Sequence, residues 1–258
     1  MILSFLLNVD IIMIINNKIS LLSYHQKIQL NNTRRIKIIN YLSLVQWSTA
    51  DNIRSLIQVC SLQYSRRLLD HMSNDLLVSK HKFVTNTGHR TIYILTKIGY
   101  LELGLETKKS NPLRISIQSF IHNEKVQRLQ IAAINDNINW VTEHELVQTK
   151  QYKSYPDGLL VLNDNLKISI ELQRNRYSLE ALKNKIVKCL ADCLSGKFNK
   201  VLFVCVDNLN AEVMRKALCS VTILKGKNHQ NIHFSDEYKS YFEFVNFDEF
   251  QNYLLKLV

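Results

Sequence analysis

The sequence predicts an α+β fold, because segments with helical spacing of apolar residues alternate with short segments of strand character. Lys200–Val206 is continuously apolar after its first residue, which is typical of a strand buried on both faces of a sheet. Leu166–Gln173 alternates apolar and polar residues, as a strand with two different faces does. Hydrophobic residues make up 46% of the chain, which is enough for a packed core and excludes a disordered chain.

The composition also suggests where the chain divides. Gly and Pro number only 6 and 2, so long flexible linkers are not expected, and the segment around Pro112 is the best boundary candidate. We therefore predict an N-terminal apolar extension at 1–30, a first domain at 31–110 and a second domain at 113–258.

The N-terminal extension does not have the pattern of a targeting or membrane segment. Residues 1–15 are strongly apolar, but Asn8 and Asp10 interrupt them, no basic stretch precedes them and no small-residue cleavage site follows. We expect a helix or strand that docks on the protein, or a true start at Met13. The five cysteines lack the spacing of a disulfide framework. We therefore expect reduced thiols and a cytoplasmic protein without membrane insertion.

The first domain is predicted to hold three helices followed by a hairpin, and this order indicates a winged helix-turn-helix domain. Thr49, Ser61 and Thr96 stand where helix N-caps are needed, because their hydroxyl oxygens can accept a backbone N–H of the first turn. Gly88 lies at the tip of the hairpin. The predicted helices are Arg34–Trp47, Ala50–Val59, Leu62–Met72 and a short one after Thr96, and the predicted strands are Leu76–Phe83 and Arg90–Leu95.

Positive charge is concentrated in the first part of the chain. Residues 1–110 carry 14 Lys and Arg against 6 Asp and Glu, whereas the remainder carries 19 against 16, so double-stranded DNA is the expected partner. The third helix would enter the major groove and the hairpin would follow the phosphates. The alternative is a winged fold used for protein contacts or dimerisation. The expected groove-facing residues are Gln63, Tyr64, Arg66 and Arg67, and the expected backbone contacts are Lys80, Lys82, His89 and Arg90.

The second domain is predicted to be an α/β unit with a central mixed sheet. Ser178 is the expected N-cap of a helix whose apolar residues keep a helical period up to Leu194. The other predicted helices are Arg114–Asn137, Asn210–Ser220 and Phe247–Leu255, and the predicted strands are Asn139–Leu146, Asp157–Leu162, Leu166–Gln173, Lys200–Val206, Val221–Leu224 and Tyr241–Val245.

Two carboxylates are predicted to face each other across a hairpin in this domain. The turn centres on Asp164, and Asp157 and Glu171 lie at equal distances before and after it. In an antiparallel pair their Cβ atoms would be about 5 Å apart. Facing carboxylates repel unless a cation lies between them, and Mg²⁺ is held by one or two carboxylates together with phosphate oxygens and water. The alternative is a pair of solvated acidic residues at strand ends.

The order of these residues resembles the core of the PD-(D/E)XK nucleases. Pro156-Asp157 precedes the hairpin, Glu171-x-Gln173 ends it and a helix follows. Gln173 stands where that family has lysine, and the resemblance implies that Lys185 of the following helix can substitute for it. It further implies Asp157 and Glu171 as ligands of Mg²⁺ or Mn²⁺. Glu124 is the expected acidic residue of the first helix, with Glu143 as the alternative, and Arg174 and Arg176 are candidates for binding phosphate.

Over most of its length the chain resembles the replication-relaxation family, which includes the MobC-type plasmid mobilisation relaxases. A winged helix is followed by His122, Trp140-x-x-Glu143, Pro156-Asp157 and Glu171-x-Gln173. The resemblance implies a protein that binds a plasmid origin of transfer and nicks one strand, together with accessory mobilisation and coupling proteins. A covalent intermediate on Tyr152, Tyr155 or Tyr177 remains open. So do a catalytically inactive DNA-binding regulator and a restriction-type endonuclease that cuts both strands.

Overall fold

The structure is a computed structural model that describes residues 22–85, 88–106, 116–163, 166–226 and 230–257. It has an α+β fold, as predicted, and it divides into two compact units, residues 1–115 and 116–258. Most of the apolar extension, the segment around Pro112 and the turn at Asp164 lie outside the described residues. Within the described ranges, no helix combines the length and the apolar character needed to cross a bilayer.

The first unit consists of helices and a three-stranded antiparallel sheet in the order β1-β3-β2. Its core lies between the helices and the sheet, with Ile38, Leu42, Ile53 and Leu69 all fully buried. The elements are α1 (Tyr24–Leu44), β1 (Ser48–Thr49), α2 (Ala50–Leu56), α3 (Leu62–Asn74), β2 (Val78–Thr85), β3 (Gly88–Leu95) and α4 (Lys97–Glu102).

Side-chain caps fix where these helices begin. The hydroxyl oxygens of Thr49, Ser61 and Thr96 each accept a backbone N–H three residues further on, so all three predicted N-caps are confirmed. The first helix starts at Tyr24 and not at the predicted Arg34, because Ser23 and Gln26 form a capping box. Ser followed three residues later by Gln is the sequence pattern of a capping box.

The second unit contains a five-stranded mixed sheet and a separate two-stranded one. The segment Phe247–Glu249 forms a short 3₁₀ turn. The helices are α5 (Ile117–Asn135), α6 (Glu143–Thr149), α7 (Leu179–Leu194), α8 (Ala211–Cys219), α9 (Asp236–Lys239) and α10 (Phe250–Leu254). The strands are β4 (Asn139–Thr142), β5 (Gly158–Asn163), β6 (Leu166–Gln173), β7 (Lys200–Cys205), β8 (Ile223–Lys225), β9 (Asn231–His233) and β10 (Phe242–Asn246).

The central sheet has the strand order β10-β7-β6-β5-β4 and is mixed, as predicted. Strands β4, β5 and β6 are antiparallel neighbours, whereas β6, β7 and β10 run parallel. One core includes Val201 and Phe203 of β7 and residues of α7 and α8. The other includes Leu202 and Val204 of the same strand and residues of α5 and α10. The apolar run of β7 therefore serves both faces, as its sequence indicated.

Two of the predicted strands were wrong in part. The strand predicted at Asn139–Leu146 ends at Thr142, where a capping box between Thr142 and Glu145 starts α6. Glu143 is therefore the first residue of a helix and not a strand residue. Ile223–Lys225 pairs with β9 and does not join the central sheet. The prediction failed here because a short apolar run indicates a strand but does not specify the strand it pairs with.

A buried carboxylate fixes the segment that leads into β5. Asp192 of α7 is fully buried. Its Oδ2 accepts the backbone N–H groups of Lys153 (2.8 Å) and Ser154 (3.1 Å), and its Oδ1 lies 2.8 Å from Lys197 Nζ. A buried charge is tolerated only when it is paired and hydrogen-bonded. The Asp192 carboxylate meets this condition through its three contacts. Asp192 therefore anchors the residues just before Pro156-Asp157.

Replacing Asp192 by Ala should lower the free energy of unfolding by about 3–5 kcal/mol, because two backbone N–H groups and the Lys197 ammonium lose their buried partner. Urea denaturation followed by circular dichroism measures this change. Asp236→Ala is the control, since it removes a carboxylate whose side chain is 98% exposed and should change the midpoint little. Equal midpoints for both variants would contradict the anchoring role.

Candidate functional site

Asp157 lies immediately before β5 and is held by two other elements. Its Oδ1 is 2.9 Å from Nε2 of His122 on α5, and its Oδ2 accepts the backbone N–H of Leu172 in β6 at 2.7 Å. The backbone N–H of Asp157 donates in turn to the carbonyl of Ile170 at 3.0 Å. The carboxylate is therefore fixed in orientation, with its side chain 17% exposed.

Glu171 lies close enough to Asp157 for that carboxylate to act on its ionisation. The ladder ends at the pair of Gly158 with Ile170, and the bonds of Asp157 to Ile170 and Leu172 place it beside the β6 segment that contains Glu171. The register shifts between Val161 and Asn163, near the turn, and the pairing at this end of the hairpin is unaffected. Glu171 is buried, with 6% of its surface exposed.

Lys185 of α7 reaches Glu171. Its Nζ lies 2.6 Å from Glu171 Oε1 and donates to Ser154 Oγ at 2.8 Å. The distance to Glu171 is that of a charge-assisted hydrogen bond, which counters the effect of burial on the Glu171 pKa. Since Asp192 holds the backbone of Ser154, a continuous series of contacts runs from the buried anchor to the Glu171 carboxylate.

The charges of this cluster act on one another. Burial raises the pKa of Glu171 to about 8; Lys185 opposes the rise, while Asp157 and Glu143 add to it. Burial and the neighbouring Asp157 also raise the pKa of Glu143. Three carboxylates therefore share one electrostatic environment with two cationic groups, Lys185 and His122.

The hydrogen bond to Asp157 raises the pKa of His122, against the effect of burial. For Lys185 the effect of burial is likewise outweighed, here by attraction to Glu171, and its pKa is raised. Both groups therefore favour their cationic forms beside a carboxylate.

Tyr177 is the tyrosine whose ionisation responds to this cluster. Burial raises its pKa to about 12, and Lys185, Glu171 and Asp157 all influence it. Tyr155 instead packs edge-on against Tyr152, which stacks on Phe198. A phenol whose pKa is raised retains its proton, so Tyr177 is suited to donating a hydrogen bond and poorly suited to acting as a nucleophile.

Two of the predicted site residues have other contacts. Glu124 lies 3.6 Å from Arg128 on the same helix, and α5 instead contributes His122 to the cluster. The amide nitrogen of Gln173 donates to the backbone carbonyl of Asn175, so this amide is already engaged. Sequence reasoning named His122 only through the family resemblance, and it did not identify Ser154 or Asp192.

Close packing of Trp140 on Gly158 shapes the wall next to Asp157. A Cβ atom at residue 158 would overlap the indole ring of Trp140. Any side chain there would push the strand or the ring away. Gly158 therefore allows the indole to lie against the backbone that follows Asp157.

Asp157 and Glu171 are the two carboxylates that could hold a divalent ion, although no group of three or more His, Cys, Asp and Glu side chains in the described ranges forms a metal-binding cluster. Magnesium needs only one or two carboxylates when phosphate and water complete its shell. The buried oxygen Oε1 of Glu171 is a suitable ligand, but an ion there would have to share it with the Lys185 ammonium, 2.6 Å away.

In the first unit, the predicted groove-facing residues differ in their surroundings. Gln63, Arg66 and Arg67 are exposed on α3. Tyr64 is turned toward α1: its hydroxyl accepts a hydrogen bond from Arg34 at 2.9 Å and donates to Asn31 Oδ1 at 2.5 Å. Three of the four side chains are thus accessible on one exposed helix.

The predicted backbone-contacting residues are exposed on the hairpin. Lys80 pairs with Asp70 of α3 at 2.9 Å. Lys82 pairs in register with Thr91, whereas Arg90 and His89 pair with Phe83 and Val84. Since side chains alternate along a strand, Lys80 and Lys82 lie on one face of the hairpin and Arg90 on the other.

Neither a family model, nor a curated protein, nor a solved structure matches this chain.

The raised pKa of Glu171 predicts a pH dependence of stability. Between about pH 4.5 and about pH 8 the folded chain keeps a proton that the unfolded chain releases. The free energy of unfolding should therefore fall as pH rises through this window, by up to about 1.4 kcal/mol per pH unit. Glu171→Gln removes this titration and should make the fall less steep, with a smaller slope left by the raised pKa values of Glu143 and His122. Denaturation in EDTA at several pH values in this range gives the free energy of unfolding of the wild type and of Glu171→Gln. Parallel curves for the two proteins would contradict the raised pKa of Glu171.

Proposed function

We propose that the second unit is a divalent-metal-dependent DNA endonuclease that nicks one strand at a plasmid origin of transfer. The first unit would be the winged-helix domain that binds the duplex. One observation carries the proposal: Asp157 and Glu171 lie close enough at the end of a hairpin to influence each other's charge, and a lysine from the following helix reaches Glu171.

The order of elements supports this function. Helix α5, strand β4, helix α6, the β5–β6 hairpin, the crossover helix α7 and the parallel strand β7 follow one another. Apart from the inserted α6, this is the order of the PD-(D/E)XK core that the sequence resembles. In that core the paired acidic residues lie at the start of the second strand and on the third. Asp157 and Glu171 occupy those positions here.

The chemistry proposed is phosphodiester cleavage. A magnesium ion held by Asp157 and Glu171 would polarise the scissile phosphate and lower the pKa of bound water. Lys185, positioned by Ser154, would offset the negative charge that develops on the phosphate. His122 would keep Asp157 oriented. Lys185, and not Gln173, would take the place of the family's lysine, because the Gln173 amide is engaged by Asn175.

The first unit has features of a duplex-binding surface. Gln63, Arg66 and Arg67 are exposed on α3, and Lys80, Lys82 and Arg90 on the hairpin that follows. Five of these six side chains are cationic, and phosphate contacts supply most of the affinity of such surfaces. We assign α3 to the major groove and the hairpin to the backbone.

A second candidate is a DNA-binding accessory protein with an inactive nuclease-like domain. The ion pair of Glu171 with Lys185 and the engaged amide of Gln173 favour it, because both groups are already satisfied. A restriction-type endonuclease is separated from the nicking enzyme by its products, since supercoiled DNA would become linear and not open-circular.

Asp157→Ala and Glu171→Ala should abolish nicking of supercoiled DNA that carries the origin, while the affinity for duplex DNA stays unchanged. Each removes one of the two carboxylates on which the proposed metal site depends. Lys185→Ala should slow nicking by about 10²-fold or more, as the loss of one electrostatic group does. Agarose gels of nicked and supercoiled plasmid, with and without Mg²⁺, measure the rates.

Glu180→Ala and Lys188→Ala serve as matched controls for these variants. Both side chains are exposed on α7, so nicking should proceed at the wild-type rate. Wild-type rates in both Asp157→Ala and Glu171→Ala would place the active site elsewhere.

Binding of the first unit to duplex DNA should depend steeply on salt. The logarithm of the association constant should fall with a slope of about −0.9 for each phosphate contacted. Arg67→Ala and Lys82→Ala should each weaken binding, and each should reduce the slope by about 1 if the side chain contacts phosphate. Fluorescence anisotropy at several salt concentrations gives both quantities. A flat salt response would indicate a protein partner for this unit instead.

A further inference from the structure

Three charged side chains meet at one edge of the central sheet, outside the carboxylate cluster. Asp207, just after β7, lies 2.6 Å from Lys125 of α5 and 2.9 Å from Arg174, just after β6. We call Lys125, Arg174 and Asp207 the basic clamp. Two cations share one carboxylate, so the clamp keeps a net positive charge.

The clamp is organised as an anion site would be. Arg174 contacts Asp207 through Nε, and within the described residues its two terminal nitrogens make no hydrogen bond. A guanidinium with free terminal N–H groups can bind a phosphate through two parallel hydrogen bonds. The side chains of Lys125 and Arg174 are 23% and 24% exposed, so they are reachable from solvent but held in place.

An open cavity of about 270 Å³ adjoins the clamp. The segments after β7 and β10 line it, including Asp207, Asn208 and Phe247. The ammonium of Lys125 lies 5.6 Å from the centre of the Phe247 ring, so Lys125 contacts two residues of the cavity wall. A water occupies about 30 Å³, which leaves room for a group the size of a nucleobase.

The clamp and the carboxylate cluster lie at the same edge of the sheet. Lys125 is three residues beyond His122 on α5, so the two lie on one helix face. Arg174 is close enough to affect the ionisation of His122, the partner of Asp157. In open α/β sheets, ligands bind outside the carboxyl ends of the parallel strands. Strands β6, β7 and β10 all have their carboxyl ends at the edge that holds the clamp and the carboxylate cluster.

We propose that Lys125 and Arg174, positioned by Asp207, bind the DNA phosphate next to the one that is cleaved, and that the adjoining cavity takes the attached nucleoside of an unpaired strand. The position relative to cleavage rests on the proposed nuclease function, whereas the binding does not. An unpaired strand is required because a base within a duplex could not enter the cavity.

The test is the affinity of the full chain for a short, labelled oligothymidylate in EDTA, which excludes metal-dependent cleavage. Lys125→Gln and Arg174→Gln should each weaken binding by roughly tenfold, as the loss of one charged hydrogen bond does. Each should also reduce the salt slope by about 0.7, the value for one phosphate of a single strand. Arg174→Lys keeps the charge but loses the planar fork, and it should give an intermediate loss.

Lys239→Gln is the matched control. Lys239 also pairs with an aspartate, Asp236, and lies 6.0 Å from the centre of the Phe234 ring, but it is not part of the clamp. The Lys239→Gln variant should therefore bind oligothymidylate with the affinity of the wild type. Thermal unfolding verifies that every variant is folded. We expect all of them to fold, because partly exposed ion pairs add little stability.

Wild-type affinity of the folded Lys125→Gln and Arg174→Gln variants would overturn the phosphate assignment and leave the clamp as a tie between α5 and the sheet. An oligomer with abasic sites that binds the wild type as tightly as oligothymidylate would overturn the nucleoside assignment. Weaker binding by the variants in a protein that does not nick would support the subsite and remove only the nuclease function.

Discussion

The backbone register at the open end of the β5–β6 hairpin is the constraint on which the site depends. The bond from Asp157 N–H to the Ile170 carbonyl and the bond from Leu172 N–H to the Asp157 carboxylate fix Asp157 against β6 from both sides. A slip of one residue would turn Glu171 to the other face of the sheet. Its carboxylate would then leave Lys185, and the shared electrostatic environment would be lost.

The surroundings of the two carboxylates show how the fold tolerates charge in a buried place. His122 accompanies Asp157 and Lys185 accompanies Glu171, so each carboxylate has one cationic neighbour. Burial nevertheless raises the pKa of Glu171 to about 8, which shows that one lysine does not fully compensate. A buried carboxyl group whose pKa is raised by burial and by a neighbouring carboxylate is typical of functional positions.

Local patterns predicted much of this fold. Alternation predicted the hairpin, hydroxyl residues predicted the helix starts at Thr49 and Ser61, and the apolar period of α7 predicted a helix on which Lys185 could reach the strands. The prediction of Glu143 as a strand residue was wrong, because the capping box of Thr142 and Glu145 ends the strand and starts a helix. The apolar pattern of Asn139–Leu146 does not indicate this change. The roles of Asp192 and Ser154 could not be predicted, since their partners are distant in sequence and only the folded chain brings them together.

The central claim is that Asp157 and Glu171 hold one divalent ion between them. Calorimetric titration with Mg²⁺ or Mn²⁺ at a pH above about 8, where Glu171 is ionised, tests it most directly. We expect binding of one ion by the wild type, loss of that binding in Asp157→Asn and in Glu171→Gln, and unchanged binding in Glu180→Gln. Ion binding that persists without either carboxylate, or a wild type that binds no ion, would contradict the claim.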